Sequence, residues 1–318
     1  MSVVLVTGGT GFLGGHLVPL LQAQGHEVRT ISRGEGATHR GSILDQNVLE
    51  RAVEGCEVVF HLAGRVDRGR NAFESLRRLH VHGTVAVIEA AAAAGVRRVV
   101  YASTSGTVAV GKDPLHFHTE SDPSPAEIVA RWPYYATKLE AEEAAIEVTR
   151  NLPIELICLN PSLLLGPGDA RRSSTGDVAD LLAGQVPAVP SGGVSFVDVR
   201  DVADVAVRAM TLGEDGSRYL LASANWPLSR FFQEIARIGG VRAPRLPAPD
   251  LPIRWLARAT APLFEGLGMK PPLDPVSIEM AQHYWYLDAG KATQVLRFSP
   301  RDPTHTLEAT VVWLRTHA

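Results

Sequence analysis

The chain has 318 residues, of which 45% are hydrophobic, and a formal net charge of −3 at pH 7. This length and apolar content suffice for a large core, as one domain of ordinary size and a smaller lobe would need. The charges are nearly balanced and no basic run occurs, which argues against nucleic acid as a main partner. No apolar stretch approaches the roughly 20 residues of a membrane span.

Two cysteines, Cys56 and Cys158, lie far apart in the sequence. They predict buried thiols, and the sequence indicates neither a disulfide framework nor a bound metal. No charged leader with a cleavage site precedes the first predicted strand, so we expect a cytoplasmic protein.

A glycine-rich loop follows the first predicted strand, the β-branched run at residues 3–6. Three glycines are spaced by three, and apolar residues then recur at helical spacing, which is the context of a dinucleotide-phosphate loop. Gly8 permits a sharp turn, Gly11 lets a pyrophosphate approach the backbone, and Gly14 lets the helix pack closely. The free N–H groups of the helix would then bind the phosphates. The contacts expected here are Gly8, Thr10, Gly11, Phe12, Leu13 and Gly14.

The second predicted strand, residues 27–32, ends in Ser32 and is followed by Arg33. Proteins that select NAD usually place an acidic residue here to bind the ribose 2′-hydroxyl. A serine does not repel a 2′-phosphate, and an arginine can bind one through two parallel hydrogen bonds. We therefore predict NADP(H) as the cofactor, with Arg33 as the 2′-phosphate ligand. The alternative is a solvated Arg33 and NAD(H).

A tyrosine and a lysine stand four residues apart, at Tyr134 and Lys138, where a helical stretch begins. With six tyrosines and four lysines in the chain, this spacing is expected by chance only roughly 0.08 times. Residues four apart share a helix face, so the phenol and the ammonium can enter one pocket. The positive charge would lower the pKa of the phenol toward neutrality, as an acid/base group needs. The adjacent Tyr135 is rejected because Leu139 stands four residues after it.

These motifs resemble the extended branch of the short-chain dehydrogenase/reductase superfamily, in which Thr-Gly-x-x-Gly-x-x-Gly precedes Tyr-x-x-x-Lys. The resemblance implies an α/β fold, a Rossmann doubly wound parallel sheet with a smaller C-terminal substrate lobe. Alternating strand and helix patterns up to about residue 170 agree with a parallel sheet. The NADP-binding domain would comprise residues 1–170 plus about 195–225, and the substrate lobe about 171–194 and 226–318.

The same resemblance implies cofactor contacts after later predicted strands. Residues 41–45 stand where the family borders the adenine, although Ser42 replaces a common aspartate. Residues 58–64 look like the strand that passes the cofactor ribose, and residues 160–169 resemble the segment that meets the nicotinamide. The contacts implied are Ser42, Ile43, Leu62, Ala63, Gly64, Pro161 and Leu163, besides Tyr134 and Lys138.

The family's hydroxyl donor, which polarises the substrate oxygen, follows the strand predicted at residues 98–102. Three hydroxyl residues stand there, Ser103, Thr104 and Ser105. Alignment with the family pattern favours Thr104, with its two neighbours as close competitors. The resemblance thus implies Thr104, Tyr134 and Lys138 as the catalytic residues.

His80 occupies the place of an asparagine that helps to hold a proton-relay water in this family. One interpretation rebuilds the relay around the imidazole, which can shuttle protons. The other interpretation, which we favour, is a histidine packed at a seam between helix and sheet.

The C-terminal part carries aromatic residues, among them Trp226, Trp255 and Trp285, that suit an apolar or aromatic small-molecule substrate. It is most similar to the dihydroflavonol-4-reductase-like carbonyl reductases, in which NADPH delivers hydride to a carbonyl carbon. One alternative is a nucleotide-sugar epimerase or dehydratase that retains NAD(P). Another is a cofactor-sensing regulator without turnover, against which the intact catalytic pair argues. A homodimer is expected, because the family often pairs through two long helices, here about 73–95 and 125–150.

Overall fold

The computed structural model describes residues 1–67, 69–186, 188–244 and 274–317. Within these ranges, ten strands form two sheets. The strands are β1 (Val3–Thr7), β2 (Glu27–Ser32), β3 (His39–Arg40), β4 (Val58–His61), β5 (Arg98–Ala102), β6 (Glu155–Pro161), β7 (Leu163–Leu165), β8 (Gly193–Asp198), β9 (Ser217–Leu221) and β10 (Ala224–Pro227).

Helices alternate with these strands through most of the described chain. The α-helices are α1 (Phe12–Ala23), α2 (Gln46–Val53), α3 (Phe73–Arg77), α4 (Gly83–Ala93), α5 (Ala126–Val129), α6 (Pro133–Thr149), α7 (Gly176–Leu182), α8 (Val199–Arg208), α9 (Leu228–Gly239), α10 (Pro275–Met280), α11 (Gly290–Val295) and α12 (Pro303–Thr316). A π-helical turn, Arg78–His82, joins α3 to α4.

The larger sheet has seven parallel strands in the order β3-β2-β1-β4-β5-β6-β9. This arrangement confirms the predicted α/β fold with a doubly wound parallel sheet. The strand order reverses at β1, which lies between β2 and β4. In such sheets, ligands bind outside the carboxyl ends of the strands beside the reversal. Most residues predicted for the site lie after the carboxyl ends of strands of this sheet or near the start of α1 or α6, whereas Pro161 is the last residue of β6 and Leu163 lies in β7.

Both faces of the large sheet are buried, which explains the continuous apolar runs in its strands. Side chains alternate between the faces along each strand. Val4 and Val6 therefore pack in one core cluster with residues of α1, α8 and α11. Leu5 points to the opposite face and packs with residues of α2, α4 and α6.

The helices predicted at about 73–95 and 125–150 are each interrupted. The first consists of α3, the π-helical turn and α4, which together end at Ala93. The second is divided into the short α5 and the long α6, which begins with Pro133 at its first position. Proline is well tolerated there because the first N–H of a helix has no partner within the helix.

The strands β7, β8 and β10 form a second, smaller sheet, and side chains from these strands pack in a third core cluster. β8 pairs in parallel with β7 and antiparallel with β10. Side chains of α7, α9 and α12 cover this sheet. Trp226 packs here against Phe196, with ring centroids 5.1 Å apart, so its ring is part of this core. Trp255 lies outside the described residues, and the division into two domains stays a prediction.

None of the described helices combines the length and the apolar composition that a membrane span needs.

Gly14 and Gly15 provide a matched test of the packing of α1 against the glycine turn. A Cβ at Gly14 would lie 2.5 Å from the Gly8 carbonyl oxygen and 2.7 Å from Gly9 backbone atoms, whereas one at Gly15 would meet nothing within 4 Å. We expect Gly14→Ala to lower the free energy of unfolding by about 1–3 kcal/mol through overpacking. Gly15→Ala should raise it by up to about 1 kcal/mol through helix propensity. Urea unfolding measures both; equal effects would contradict the close packing.

Candidate active site

The glycine loop forms a tight cradle between β1 and α1. Gly8 has φ +72°, and a Cβ on it would lie 3.0 Å from the Ala63 backbone. The Gly11 N–H donates to the Gly8 carbonyl at 2.9 Å, and Gly11 caps α1 without a side chain. The first N–H groups of the helix are therefore left for an anionic ligand, as a pyrophosphate site requires.

Polar residues collect at the end of β2, beside this loop. Thr10 Oγ1 and Ser32 Oγ lie 2.5 Å apart and form a hydrogen bond. Arg33 is exposed. The short β3 pairs with β2 so that Arg40 is the register partner of Ser32. Arg40, also exposed, is a second guanidinium at this corner that the sequence did not single out, because it needs the pairing of β2 with β3.

The predicted adenine contacts differ from each other in burial. Ser42 is half-buried, and its Oγ accepts a hydrogen bond from the Leu44 N–H at 3.2 Å. Ile43 is buried in the core, where its side chain packs close to Gly83. Any contact of Ile43 with a nucleotide would therefore use its backbone.

The end of β4 is fastened to β1 by Thr7. The Thr7 carbonyl accepts from the Leu62 N–H, and Thr7 Oγ1 accepts from the Ala63 N–H, each at 3.2 Å. His61 Nδ1 lies 2.7 Å from Thr7 Oγ1, and its Nε2 lies 2.9 Å from Thr84 Oγ1. Burial lowers the pKa of His61 to about 3, so this imidazole is neutral and structural. Gly64, which follows Ala63, is exposed.

Tyr134, at the start of α6, and Thr104, after the end of β5, line the same cavity. Burial raises the pKa of the Tyr134 phenol above its ordinary value, Tyr135 acts in the same direction, and the Thr104 side chain opposes both. The expected lowering of this pKa toward neutrality by Lys138 is therefore wrong, because desolvation of the phenol is the largest effect. Of the three candidate hydroxyl residues, Thr104 is the one whose side chain acts on the pKa of the phenol. Ser103 and Ser105 are also buried.

Lys138 follows Tyr134 by four residues on α6, but its ammonium contacts β5. Nζ donates to Tyr101 Oη at 2.7 Å and to the Ala102 carbonyl at 2.9 Å, and it lies 4.3 Å from the centroid of the Tyr101 ring. Burial lowers the pKa of Lys138 to about 8, against the opposing effect of Glu142. Tyr101 is a residue that the sequence analysis missed; its only signal was an aromatic side chain in an otherwise aliphatic strand.

His80 uses both ring nitrogens within the protein. Its Nε2 lies 3.2 Å from the backbone N–H of Arg65, which can only donate, so Nε2 is the acceptor. The proton is therefore on Nδ1, which donates to Thr137 Oγ1 at 2.9 Å. The ring stands edge-on to Tyr134, with centroids 5.8 Å apart. In this arrangement neither nitrogen is available to a relay water, which agrees with the packed interpretation.

Thr104 and Tyr134 line a cavity of about 370 Å³. Its walls are formed by residues between Val66 and Ser195 and by residues between Leu228 and Trp285. The rings of Tyr135 and Trp285 pack at a tilt of 40° with centroids 4.8 Å apart, and Trp285 stacks on Trp132 at 5.6 Å. Further apolar lining is supplied by Pro161, Leu163, Leu164, Val186, Leu228, Phe232, Val276, Ile278 and Met280.

Two hydroxyl groups at this cavity are available to a ligand. Ser103 Oγ and Ser162 Oγ are buried and have no hydrogen-bond partner within the described ranges, and both residues line the cavity. A buried polar group of this kind requires an explanation, and a polar ligand is one. The glycine cradle follows β1, Ser103 follows β5 and Ser162 follows β6, so all three lie at the carboxyl edge of the large sheet, where such a set of hydrogen-bonding groups fits a dinucleotide.

The comparisons with known proteins agree with this geometry. The sequence model of the NAD dependent epimerase/dehydratase family matches residues 4–222. The chain belongs to this family. It is a member of the extended short-chain dehydrogenase/reductase superfamily, and relatives that it matches carry the names of reductases.

Similarity to individual family members extends over most of the chain. A candidate dihydroflavonol 4-reductase of Synechocystis sp. is 30% identical over 98% of this chain and 94% of its own length. Cinnamoyl-CoA reductase 1 of Petunia hybrida is 33% identical over 73% of this chain and 78% of its own. The crystal structure of gox2253 superposes with a TM-score of 0.84 at 27% identity, covering 100% of this chain and 99% of that one.

The two neutral imidazoles predict how stability depends on pH. Burial lowers the pKa of His61 and of His80 to about 3, so each binds a proton below about pH 6.5 only after unfolding. Stability is therefore complete above pH 6.5 and falls as the pH decreases toward 3, by about 1.4 kcal/mol per pH unit for each imidazole.

We expect His80→Asn to reduce this slope, measured from urea unfolding between pH 7.5 and 5. The exposed His305→Asn serves as the control and should keep the slope of the unmodified protein. If His80→Asn leaves the slope unchanged, His80 is protonated in the native state.

Proposed function

We propose that this protein is an NADP(H)-dependent carbonyl reductase for uncharged apolar or aromatic small molecules. The observation that carries the proposal is that Thr104 and Tyr134 line the same cavity, whose other walls are largely aromatic and aliphatic. Two hydroxyls together can bind one carbonyl oxygen, and one of them can supply its proton.

The chain offers a binding group for each part of the cofactor. The cradle at Gly8 and Gly11 would hold the pyrophosphate. Arg33, with Arg40 beside it, would bind the 2′-phosphate by charge-assisted hydrogen bonds. Pro161 and Leu163 flank the free Ser162 hydroxyl, so they would border the nicotinamide. When bound, the reduced nicotinamide supplies the hydride.

The protonation states favour reduction of a carbonyl. Burial raises the pKa of Tyr134, so the phenol keeps its proton at neutral pH and can donate it to the developing alkoxide. Thr104 would donate a hydrogen bond to the same oxygen. Lys138, held by Tyr101 and the Ala102 carbonyl, carries a positive charge one helical turn after Tyr134, and this charge would stabilise the phenolate after transfer.

The charged residues that line the cavity disfavour a nucleotide-sugar substrate. Three carboxylate residues, Asp177, Asp180 and Asp274, line it, and no lysine, arginine or histidine does so among the described residues. Arg171 and Arg172 are exposed and do not line the cavity. Among the described lining residues, a diphosphate would meet the carboxylates of Asp180 and Asp274, which are of like charge.

Tyr134→Phe tests the assignment of the acid. It removes the proton donor but keeps the ring, so kcat for ketone reduction should fall by roughly 10²- to 10⁴-fold, with NADPH affinity nearly unchanged. The assay follows NADPH oxidation at 340 nm with a panel of uncharged aromatic and aliphatic ketones. Tyr135→Phe, which removes the neighbouring phenol, should keep most of the activity. Undiminished turnover in Tyr134→Phe would exclude this tyrosine as the acid.

Arg33→Ala tests the choice of cofactor. Loss of a charge-assisted contact with the 2′-phosphate should weaken NADPH binding about tenfold or more and leave NADH binding unchanged. A titration followed by nicotinamide fluorescence gives both affinities, with Arg51→Ala on the exposed face of α2 as the control. Equal effects on NADPH and NADH would refute the assignment. Cofactor that stays bound through purification, with turnover of nucleotide-sugars, would instead support the epimerase alternative.

A further inference from the structure

Glu142 is a fully buried carboxylate on the same face of α6 as Tyr134 and Lys138, which it follows by two turns and one turn of the helix. Burying a charge costs free energy unless good partners compensate for it. Glu142 Oε1 lies 2.5 Å from Arg218 Nε, in β9. Its Oε2 accepts from Asn160 Nδ2 at 2.7 Å.

The partners of Glu142 lead directly to the proposed hydroxyl donor. Thr107 Oγ1 lies 3.1 Å from Glu142 Oε2 and 2.9 Å from the Thr104 carbonyl oxygen. Asn160 Nδ2 also reaches the Thr104 carbonyl, at 3.2 Å. The loop after β5, the helix α6 and the end of β6 therefore meet at one carboxylate.

Glu142 is also the negative charge that acts on the Lys138 ammonium. Among the described residues, the other titratable groups near that ammonium are uncharged at neutral pH; they are Tyr101, Tyr134, Cys158, His61 and His80. Burial raises the pKa of Tyr101 and of Cys158 well above their ordinary values. It lowers the pKa of His61 and of His80 to about 3.

We propose that Glu142, paired with Arg218, is a positioning residue that keeps Lys138 charged and fixes the backbone of Thr104. Its effect on turnover rests on the proposed function, whereas its effect on Lys138 does not. Glu142 touches neither substrate nor cofactor; it acts through the ammonium and through Asn160 and Thr107.

Replacing Glu142 or Arg218 by glutamine should shift the pKa of Lys138 in opposite directions. Glu142→Gln removes the negative charge but keeps an oxygen that can accept from Asn160. The Lys138 pKa should then fall, and the alkaline limb of the kcat profile for reduction should move down by about one pH unit. Arg218→Gln leaves the negative charge without its counter-ion. The Lys138 pKa and the alkaline limb should then move up. A general loss of packing would not shift the two variants oppositely.

The Lys138 pKa can be measured without any substrate. The chain has only four lysines, so NMR of protein labelled at the lysine ε-carbon gives few signals, and Lys138→Met assigns the one required. Glu140→Gln is the matched control, since Glu140 lies on the same helix but pairs with Arg77, 2.6 Å away, at the partly exposed side. Its Lys138 titration and its pH profile should match those of the unmodified protein.

The outcomes separate this inference from the proposed function. If the unmodified protein reduces no carbonyl with either cofactor, the proposed function fails, and the NMR titration still decides the role of Glu142. If turnover is present but the two variants leave the Lys138 titration unchanged, or shift it in the same direction, the inference is wrong. If Glu142→Gln does not fold, Arg218→Gln must still raise the Lys138 pKa, and an unchanged or lower value overturns the inference.

Discussion

Seven parallel strands with both faces buried leave their carboxyl ends as the edge at which polar side chains can gather. The rest of the site depends on this constraint. Thr7 ends β1 and binds both the backbone after β4 and the imidazole of His61. Tyr101, near the end of β5, then receives the ammonium of Lys138. These hydrogen bonds connect the ends of neighbouring strands with each other and with α6, so the site extends along the carboxyl edge of the sheet.

Burial controls which of these groups carry charge. An imidazole far from water loses its proton easily, which leaves His61 and His80 neutral. A buried phenol keeps its proton, which suits Tyr134 to the donation of a proton. The same desolvation lowers the pKa of Lys138, and the negative charge of Glu142 opposes this effect. Glu142 compensates for the desolvation of Lys138 at short range, because both residues lie on α6.

The chemistry and the selectivity come from different parts of the chain. The strand ends of the large sheet and the start of α6 supply hydroxyls and charge, while residues after Leu163 supply most of the apolar wall. Trp285 connects the two parts, because its ring packs against both Trp132 and Tyr135 beside the proposed acid. If the proposed function holds, substitutions in these later segments should change substrate selectivity without affecting proton transfer.

The sequence by itself determined those features that depend on near neighbours. The glycine spacing predicted the strand, turn and helix of the cradle, and the four-residue spacing placed Tyr134 and Lys138 on one helix face. Alternating elements predicted the parallel sheet, which the strand order confirms. Such patterns are readable because a turn or a helix fixes the geometry of residues a few positions apart.

Only the tertiary structure decided which distant groups meet. The ammonium of Lys138 bonds to Tyr101 because α6 packs on β5, and Glu142 pairs with Arg218 because β9 lies beside β6. The proton on His80 Nδ1 follows from the backbone of Arg65, which no spacing encodes. These contacts depend on the order of strands and the packing of helices, so the same local sequence could have given other partners.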